Sequence, residues 1–416
     1  MNRFSPSLIA RKNQILIELA PQFQAIEEIS LQNTARILDA FRTHKVSDCD
    51  FRQTTGYGYG DAGRDKLDAV WADIFGAPAA LVRNHFVSGT HALATALFGV
   101  LRPGDELLSI TGTPYDTLRS VIGVPTPVPG CLTEFGIHYR ETSFEQALHP
   151  ETIGSALAPE TRLILIQRSC GYSLRHSLSV EEIAALCSSI KALRPDCVIM
   201  VDNCYGEFTQ TQEPTAVGAD LAVGSLIKNP GGGIAPTGGY ITGRSDLVEL
   251  AASRLTAPGI GAEVGSSVDG YRLFYQGLFL APHTTAQAMK SALFAAAFFA
   301  SLGYSVHPRC DVVRHDIIQG IELRTPEKLT AFCRGLQKYS PVDSHVKPEP
   351  APMPGYADPV VMAGGTFVQG SSIELSADGP LRKPFAVYLQ GGLTFEHAML
   401  ALMGAAQEMT GTIDTD

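Results

Sequence analysis

The chain has 416 residues, of which 45% are hydrophobic and 18% charged, a composition typical of a globular protein with more than one domain. Its net charge of −10, with no compensating basic run, argues against nucleic acid as the main partner. The eight cysteines form no CxxC pair, so we expect free thiols in a reducing compartment and no metal site. No signal peptide is recognisable, and the apolar stretch 291–306 is too short to span a bilayer. We therefore expect a cytoplasmic, soluble protein without membrane partners.

The first 50 residues predict an N-terminal helical arm. Apolar residues recur at helical spacing through 7–43, and Pro21 is expected to kink or divide this segment. A glycine–tyrosine loop follows at 54–61 and contains Tyr57 and Tyr59. We expect the arm to pack on its own domain or on a partner subunit.

Residues 51–283 are predicted to form a large α/β domain. Helical stretches separate short apolar runs at 79–83, 106–110, 162–167, 197–201, 220–223 and 239–242. This alternation favours a mainly parallel sheet flanked by helices, which binds ligands beyond the carboxyl ends of its strands. Arg168, Asp202 and the pair Ser225 and Lys228 all follow predicted strands and should lie at that edge.

Residues 284–416 are predicted to form a linking helix and a smaller C-terminal α+β domain. We expect an irregular loop at 253–283, then a helix at about 284–302. The predicted strands of the small domain are 304–307, 311–318, 371–375 and 385–389, and its helices are 326–338 and 394–408. The proline-rich segment 341–359 is interpreted as a loop or internal linker.

Lys228 is the residue around which the chemistry is predicted. It lies just past a buried strand, Ser225 precedes it by three residues, and a glycine-rich turn follows it. Apolar neighbours would lower the pKa of the amine and free it to attack carbonyls, and glycines allow close approach to a flat ligand. The alternative is a surface lysine in a turn. In combination with the other motifs, we expect Lys228 to carry pyridoxal phosphate as a Schiff base.

Other candidate site residues have both a functional and a structural interpretation. Ser88, Gly89 and Thr90 open a helix and could form an anion site with Ser225, or Ser88 could simply cap the helix. Asp202 could pair with a protonated pyridine nitrogen, or it could be a structural capping residue; no familiar metal-ligand spacing surrounds it.

Tyr115 follows a predicted strand and begins the next helix. Its ring could lie over a cofactor and its phenol could donate a proton, although a packed core tyrosine is the ordinary alternative.

Five motifs together resemble one family, the pyridoxal phosphate-dependent "aluminium resistance" or methionine γ-lyase-like proteins of the cystathionine/methionine lyase branch of fold-type I enzymes. The resemblance covers about residues 30–410. The motifs are Ser88-Gly-Thr-His-Ala, Leu101-Arg-Pro-Gly-Asp-Glu-Leu-Leu, Thr111-Gly-Thr-Pro-Tyr-Asp-Thr-Leu, Val201-Asp-Asn-Cys-Tyr-Gly-Glu-Phe and Ser225-Leu-Ile-Lys-Asn-Pro-Gly-Gly-Gly.

The resemblance implies the Schiff base at Lys228, the pyridine contact of Asp202 and ring stacking by Tyr115. It also implies phosphate contacts from the residues at the helix start and from a tyrosine of the glycine–tyrosine loop in a neighbouring subunit, hence a homodimer or homotetramer with shared active sites. The implied phosphate ligands are Ser88, Gly89, Thr90, Ser225 and either Tyr57 or Tyr59. The segment 275–283 is a second candidate for a contribution across subunits.

The chain departs from the better-known γ-lyases at three places. Asp61 stands where they have a phosphate-binding arginine, and Ile227 stands where they have a threonine. The late strand carries no arginine for the substrate carboxylate. Arg382 and Arg168 are the candidate substitutes, because a guanidinium can bind a carboxylate with two hydrogen bonds.

The implied activity is elimination of a β- or γ-substituent, expected to be a thiol, from an amino acid. Three alternatives remain open at this point: elimination of a halide or another group from a modified amino acid, an aminotransferase, and a non-catalytic regulator with the same fold.

Overall fold

The structure is a computed structural model that describes residues 4–353, 356 and 358–411. Parts of the predicted segments 1–50, 341–359 and 284–416 therefore lie outside the described residues. Within the described ranges, no helix combines the length and the apolar character needed to cross a membrane.

The N-terminal part of the chain consists of two helices that pack on the rest of the same chain. Helix α1 ends at Glu18 and α2 begins at Ala20, so the break falls beside Pro21, as predicted. Asn33 donates hydrogen bonds from its side chain to the carbonyls of Phe208 and Gln210, which ties the arm to the large sheet. The helices are α1 (Pro6–Glu18), α2 (Ala20–Thr43) and, after the glycine–tyrosine loop, α3 (Ala62–Phe75).

A seven-stranded sheet forms the centre of the large domain. Its strands are β1 (Ala79–Arg83), β2 (Glu106–Ser109), β3 (His138–Glu141), β4 (Thr161–Gln167), β5 (Val198–Asp202), β6 (Leu221–Ser225) and β7 (Gly239–Gly243). They are arranged in the order β1-β7-β6-β5-β4-β2-β3, and only β7 runs antiparallel to its neighbours. The mainly parallel sheet predicted from the sequence is confirmed, with β3 as an additional edge strand.

Helices cover both faces of this sheet because its strands are apolar on both sides. The helices are α4 (Gly89–Val100), α5 (Asp116–Ile122), α6 (Phe144–Ala147), α7 (Val180–Leu193) and α8 (Ser245–Leu255). One core contains side chains of α4, α5 and α8, and the core on the opposite face contains those of α7. The carboxyl ends of β4, β5 and β6 remain uncovered by these helices and open towards the small domain.

Helix α9 (Arg272–Ser301) joins the two sheets. The predicted irregular loop at 253–283 is wrong over its second half, because the helix begins at Arg272 and continues through Pro282. Tyr275 and Leu278 are buried against α3 and neighbouring residues of the same chain, and this packing overrides the local breaking tendency of proline. Gln276, Phe279 and His283 of the same segment are exposed, so its contribution across subunits stays a prediction.

The small domain is a five-stranded antiparallel sheet packed against two helices. Its elements are β8 (Ser305–His307), β9 (Gln319–Glu322), α10 (Pro326–Lys338), β10 (Val360–Ala363), β11 (Ser376–Pro380), β12 (Ala386–Gln390) and α11 (Phe395–Met409). The strand order is β10-β11-β12-β9-β8. The strands expected at 311–318 and 371–375 instead lie just downstream, at β9 and β11. Residues 371–375 and 316–318 are buried segments that lead into these strands, whereas 311–313 are exposed.

Candidate active site

The carboxyl ends of the parallel strands border a cavity of about 570 Å³, within the usual size range of small-molecule sites. The large domain contributes one wall and the small domain the other. The cavity brings together six of the residues singled out in the sequence: Gly89, Thr90, Tyr115, Asp202, Ser225 and Lys228. Parallel strands whose ends share one edge explain why residues more than a hundred positions apart meet here.

Lys228 presents its amine to this cavity. The residue lies three positions past the end of β6, and its Nζ is 4.0 Å from the centroid of the Tyr205 ring. Burial lowers the pKa of Lys228, but the Cys204 thiol, the Tyr205 phenol and the Asp202 carboxylate outweigh burial and raise that pKa above its ordinary value. The expectation of a lowered pKa for Lys228 is therefore wrong, because a thiol, a phenol and a carboxylate surround the amine in place of the expected apolar side chains.

Asp202 is the last residue of β5 and is only 6% exposed. Its Oδ1 accepts a hydrogen bond from the backbone N–H of Cys204 at 3.2 Å, which fixes the orientation of the carboxylate. Burial raises the pKa of Asp202, whereas the charge of Lys228 acts to lower it. A carboxylate held in this way can stabilise a cation in the cavity, such as a protonated ring nitrogen.

The amino end of α4 forms a cradle that suits an anion. The Ser88 hydroxyl caps the helix by accepting a hydrogen bond from the His91 N–H at 3.1 Å, so its oxygen is engaged within the chain. Gly89 lies so close to β6 that a Cβ atom on it would be 3.1 Å from the Cβ of Ser225. The positive end of the helix dipole and the hydroxyls of Thr90 and Ser225 border the same space.

Tyr115 directly precedes α5 and lines the same cavity, and the starts of α4 and α5 are joined by a hydrogen bond between Thr90 and Thr117 at 2.8 Å. Its backbone N–H donates to Oε1 of Gln167 at 2.8 Å, and its phenol hydrogen-bonds the hydroxyl of Tyr356. Burial raises the pKa of Tyr115, followed in importance by the nearby Tyr205 and Tyr356 phenols. The phenol is therefore held in its protonated form, as a weaker acid than a free tyrosine, and it can donate a hydrogen bond to a group in the cavity.

The structure adds site residues that the sequence analysis did not single out. Tyr205 has φ +72° and its ring faces Lys228; it was quoted only as part of a motif. Tyr356 belongs to the proline-rich segment interpreted as a linker, and no local pattern indicated that it would reach Tyr115. Ser371, Ser372, Ser376 and Asp378 from the small domain also line the cavity, and they lie in no recognisable motif.

Arg168 requires a correction, because the structure does not place it at the cavity. Its guanidinium is fully buried and donates to Oδ1 of Asn203 at 2.8 Å and to Oε1 of Gln210 at 3.1 Å, with Glu213 at 3.6 Å. Successive side chains of a strand point to opposite faces, so Gln167 faces the cavity and Arg168 faces away from it. Arg168 therefore stabilises the loop after β5 and is not available to a substrate carboxylate.

Arg382 does not line the cavity either. It is exposed in the turn after β11 and forms an ion pair with Asp358 at 3.3 Å. It borders a separate cleft of about 400 Å³, which shares Tyr115 and Gln167 with the cavity. Neither arginine named from the sequence is thus among the described residues of the cavity wall.

Tyr57 and Tyr59 are 71% and 72% exposed, and neither borders the cavity of its own chain. Their rings are 5.4 Å apart. Two hydrogen bonds to the rest of the chain hold the backbone of this loop. The carbonyl of Tyr57 accepts a hydrogen bond from the N–H of Gly265, and the buried Arg64 donates to the carbonyl of Gly58 at 2.9 Å. The two rings are therefore displayed on the surface by a well-anchored loop.

The arrangement fits pyridoxal phosphate. An amine for the aldehyde, a carboxylate for the ring nitrogen, an anion cradle for the phosphate and a buried aromatic ring all border one cavity. The fold and this set of residues together define a fold-type I pyridoxal phosphate-dependent enzyme. The same fold occurs in a pyridoxal phosphate-dependent protein of Escherichia coli, with 18% identity and a TM-score of 0.62.

The sequence matches the methionine gamma-lyase family over residues 8–410, and the chain belongs to this family. The chain is therefore an enzyme of the lyase class, as the resemblance implied. Protein YnbB of Bacillus subtilis is 48% identical over 399 residues, which cover 95% of each chain.

Two solved structures are similar over nearly the whole chain. A Listeria monocytogenes protein assigned as a cystathionine β-lyase involved in aluminium resistance is 48% identical, with a TM-score of 0.93 over 96% of this chain and 99% of the other. A carbon–sulfur lyase involved in aluminium resistance from Clostridium novyi is 46% identical, with a TM-score of 0.93 over 97% and 96% of the two chains.

Proposed function

We propose that the protein eliminates a β- or γ-substituent, a thiol, from an amino acid bound to pyridoxal phosphate. The observation that carries the proposal is the convergence of Lys228, Asp202 and the amino end of α4 on one cavity. The names of the Listeria and Clostridium relatives, a cystathionine β-lyase and a carbon–sulfur lyase, support sulfur as the atom that leaves.

Each proposed role follows from the position of a side chain. Pyridoxal phosphate, when bound, supplies an electron sink for the carbanion that forms at the substrate Cα. Lys228 would hold the cofactor before the substrate arrives, and its freed amine would take the Cα proton and, for a γ-substituent, a Cβ proton too, with one proton passing to the leaving group. Asp202 would keep the ring nitrogen protonated by pairing its buried carboxylate with that cation.

The proposed role of Tyr115 is to cover the cofactor ring and to assist departure of the leaving group. Burial raises the pKa of its phenol, so the hydroxyl stays neutral and can assist by donating a hydrogen bond to the leaving atom, while Tyr356 orients the hydroxyl. Gly89, Thr90 and Ser225 hold the phosphate, with Ser88 fixing the helix start.

Incubation of the purified holoenzyme with cystathionine, methionine, cysteine and γ-halogenated amino acids tests the proposal. We expect a keto acid and ammonia in a one-to-one ratio with a released thiol, and the carbon skeleton of the keto acid tells β- from γ-elimination. Release of halide alone would favour the alternative leaving group. A requirement for an amino-group acceptor would favour the aminotransferase, and no turnover of any substrate would favour the regulator.

We also propose that the active protein is at least a homodimer in which Tyr57 or Tyr59 reaches the phosphate of the neighbouring subunit. The loop of the two tyrosines lies against residues 265–266, and Gly265 in turn lies against His85, close to the start of α4. Val87, directly before Ser88, is 79% exposed. Large apolar side chains beside the anion cradle are thus left for a second copy to cover.

A further inference from the structure

The side of the cavity formed by the small domain differs in chemistry from the side formed by the large domain, which contains Lys228, Asp202 and the start of α4. Ser376 and Asp378 lie two residues apart on β11 and so point to the same face, while Ala377 between them is buried in the core of the small domain. Both line the cavity, together with Ser371 and Ser372 from the preceding loop and Gln390 from β12. This wall presents oxygen atoms to the space in front of Lys228.

Among the described residues that line the cavity, the charged side chains are Lys228, Asp202 and Asp378. The proposed function assigns Lys228 and Asp202 to the cofactor. Asp378 is then the charged group that remains for the substrate, and its charge is negative. A side chain of a substrate that carries a positive charge would match this wall, whereas a purely apolar one would leave it unmatched.

The wall also contains polar atoms that no protein group satisfies. The hydroxyl oxygens of Ser371 and Ser376 are buried and have no hydrogen-bond partner among the described residues, whereas the Ser372 hydroxyl lies beside the Tyr205 phenol. Asp378 is 6% exposed, its Oδ2 accepts a hydrogen bond from Nε2 of Gln390 at 2.9 Å, and the Tyr172 phenol lies beside the same carboxylate. Buried acceptors of this kind are costly without a partner, and burial raises the pKa of Asp378 for the same reason. A bound cation would relieve this cost.

We propose that Asp378, with the hydroxyl of Ser376 beside it, binds an ammonium group on the leaving-group end of the substrate. The preferred substrates are then amino acids that carry a second amino group beyond the atom that leaves. This inference rests on the proposed function, because it takes the cavity to be the substrate site of the lyase.

Binding of two amino acids without a leaving group tests the inference independently of turnover. Lysine carries a terminal ammonium, and 2-aminoheptanoate replaces this ammonium with a methyl group at the same position. Calorimetric titration of the holoenzyme should show lysine binding about 10- to 100-fold more tightly, the range expected for a hydrogen-bonded charge pair. Equal affinities, or tighter binding of 2-aminoheptanoate, would overturn the inference in the unaltered protein.

The variant Asp378→Asn should abolish this preference while binding 2-aminoheptanoate as before. The control Asp311→Asn removes one negative charge from an exposed ion pair of the same domain and should keep the preference. A preference that survives in a folded Asp378→Asn protein would contradict the assignment to Asp378. If that variant does not fold, the comparison of the two ligands in the unaltered protein still decides.

Turnover of a second matched pair separates the inference from the proposed function. S-(2-aminoethyl)cysteine and S-propylcysteine differ only in the terminal ammonium, and we expect about tenfold or greater kcat/KM for the first. No turnover of either compound, with the lysine preference intact, would refute thiol elimination and leave the ammonium site standing. Turnover of both at equal kcat/KM would refute the ammonium site and leave the lyase standing.

Discussion

The amine of Lys228 lies 4.0 Å from the centroid of the Tyr205 ring. The two residues come from loops after adjacent strands, β6 and β5, and Asn229 connects these loops by donating hydrogen bonds to the carbonyls of Tyr205 at 3.0 Å and Glu207 at 2.9 Å. The residue that follows the lysine thereby fixes the ring that faces the amine. The position of the amine is set by two strands and not by the glycine-rich turn alone.

Lys228→Ala should remove the covalent link to the cofactor. We expect loss of the visible absorbance band of the lysine-bound cofactor and a fall in turnover of about 10²–10⁴-fold, because the proton-transferring group is also lost. The control is Lys66→Ala, which removes a lysine paired with Asp50 away from the cavity. Persistence of the band after extensive dialysis would show that another amine holds the cofactor.

Asp202→Asn should separate cofactor binding from catalysis. The amide oxygen can still accept the hydrogen bond from the N–H of Cys204, so the absorbance of the bound cofactor should be retained. Turnover should fall by about 10²–10³-fold, since the charge that stabilises the protonated ring is gone. The exposed Asp246→Asn variant is the control for loss of one negative charge. Near-normal turnover in a folded Asp202→Asn protein would exclude the proposed role.

Gly89→Ala should weaken cofactor binding through sterics at the phosphate cradle. The added Cβ would be 3.1 Å from the Cβ of Ser225, so α4 and β6 would have to separate by a few tenths of an ångström. We expect a rise in the cofactor dissociation constant of about tenfold, measured by absorbance titration of the apoprotein. Gly154→Ala is the control, because its Cβ meets only the end of the Leu193 side chain. Equal cofactor affinity in the two variants would argue against a tight cradle at Gly89.

Glu207 should make the protein less stable as pH rises. Burial raises the pKa of this carboxyl from 4.5 to about 8, although the hydrogen bond from Tyr240 acts to lower that pKa. The folded state therefore keeps a proton that the unfolded state releases, and the free energy of unfolding falls between about pH 4.5 and pH 8 by on the order of a few kcal/mol.

Glu207→Gln should flatten this dependence, because an amide does not titrate. Chemical unfolding at several pH values measures the effect, and the exposed Glu145→Gln variant on α6 should keep the unaltered slope. An unchanged or steeper fall in Glu207→Gln, compared with the unaltered protein, would contradict a raised pKa of Glu207 in the folded state.

Tyr57→Ala tests the shared active site. Co-expression of Tyr57→Ala chains with Lys228→Ala chains should give mixed dimers with one site that contains both an intact lysine and an intact tyrosine. Random pairing makes half of the dimers mixed, so recovery of about one quarter of normal activity is expected if each variant alone is inactive. The same experiment with Tyr59→Ala tells which tyrosine acts. Absence of recovery in mixed dimers would place the tyrosine in its own subunit's site or outside any site.

The sequence by itself determined the sheet, the order of its strands along the chain and several of the large-domain residues that line the cavity. Apolar runs alternating with helical segments define a parallel sheet, and in such a sheet the residue after each strand lies at the ligand-binding edge. Lys228, Asp202 and Ser225 could therefore be placed together from their spacing alone. The same reasoning failed for Arg168, because a difference of one position at a strand end decides which face a side chain occupies.

Only the tertiary structure decided which residues of the small domain line the cavity. Tyr356 and Asp378 come from segments without recognisable motifs, and they reach the cavity because the small domain packs across the open strand ends. The pKa of Lys228 likewise depends on Cys204 and Tyr205 besides Asp202, and the strand pattern did not indicate that this thiol and this phenol would surround the amine. Contacts between distant segments are set by the packing of whole elements, and packing depends on the shapes of both surfaces at once.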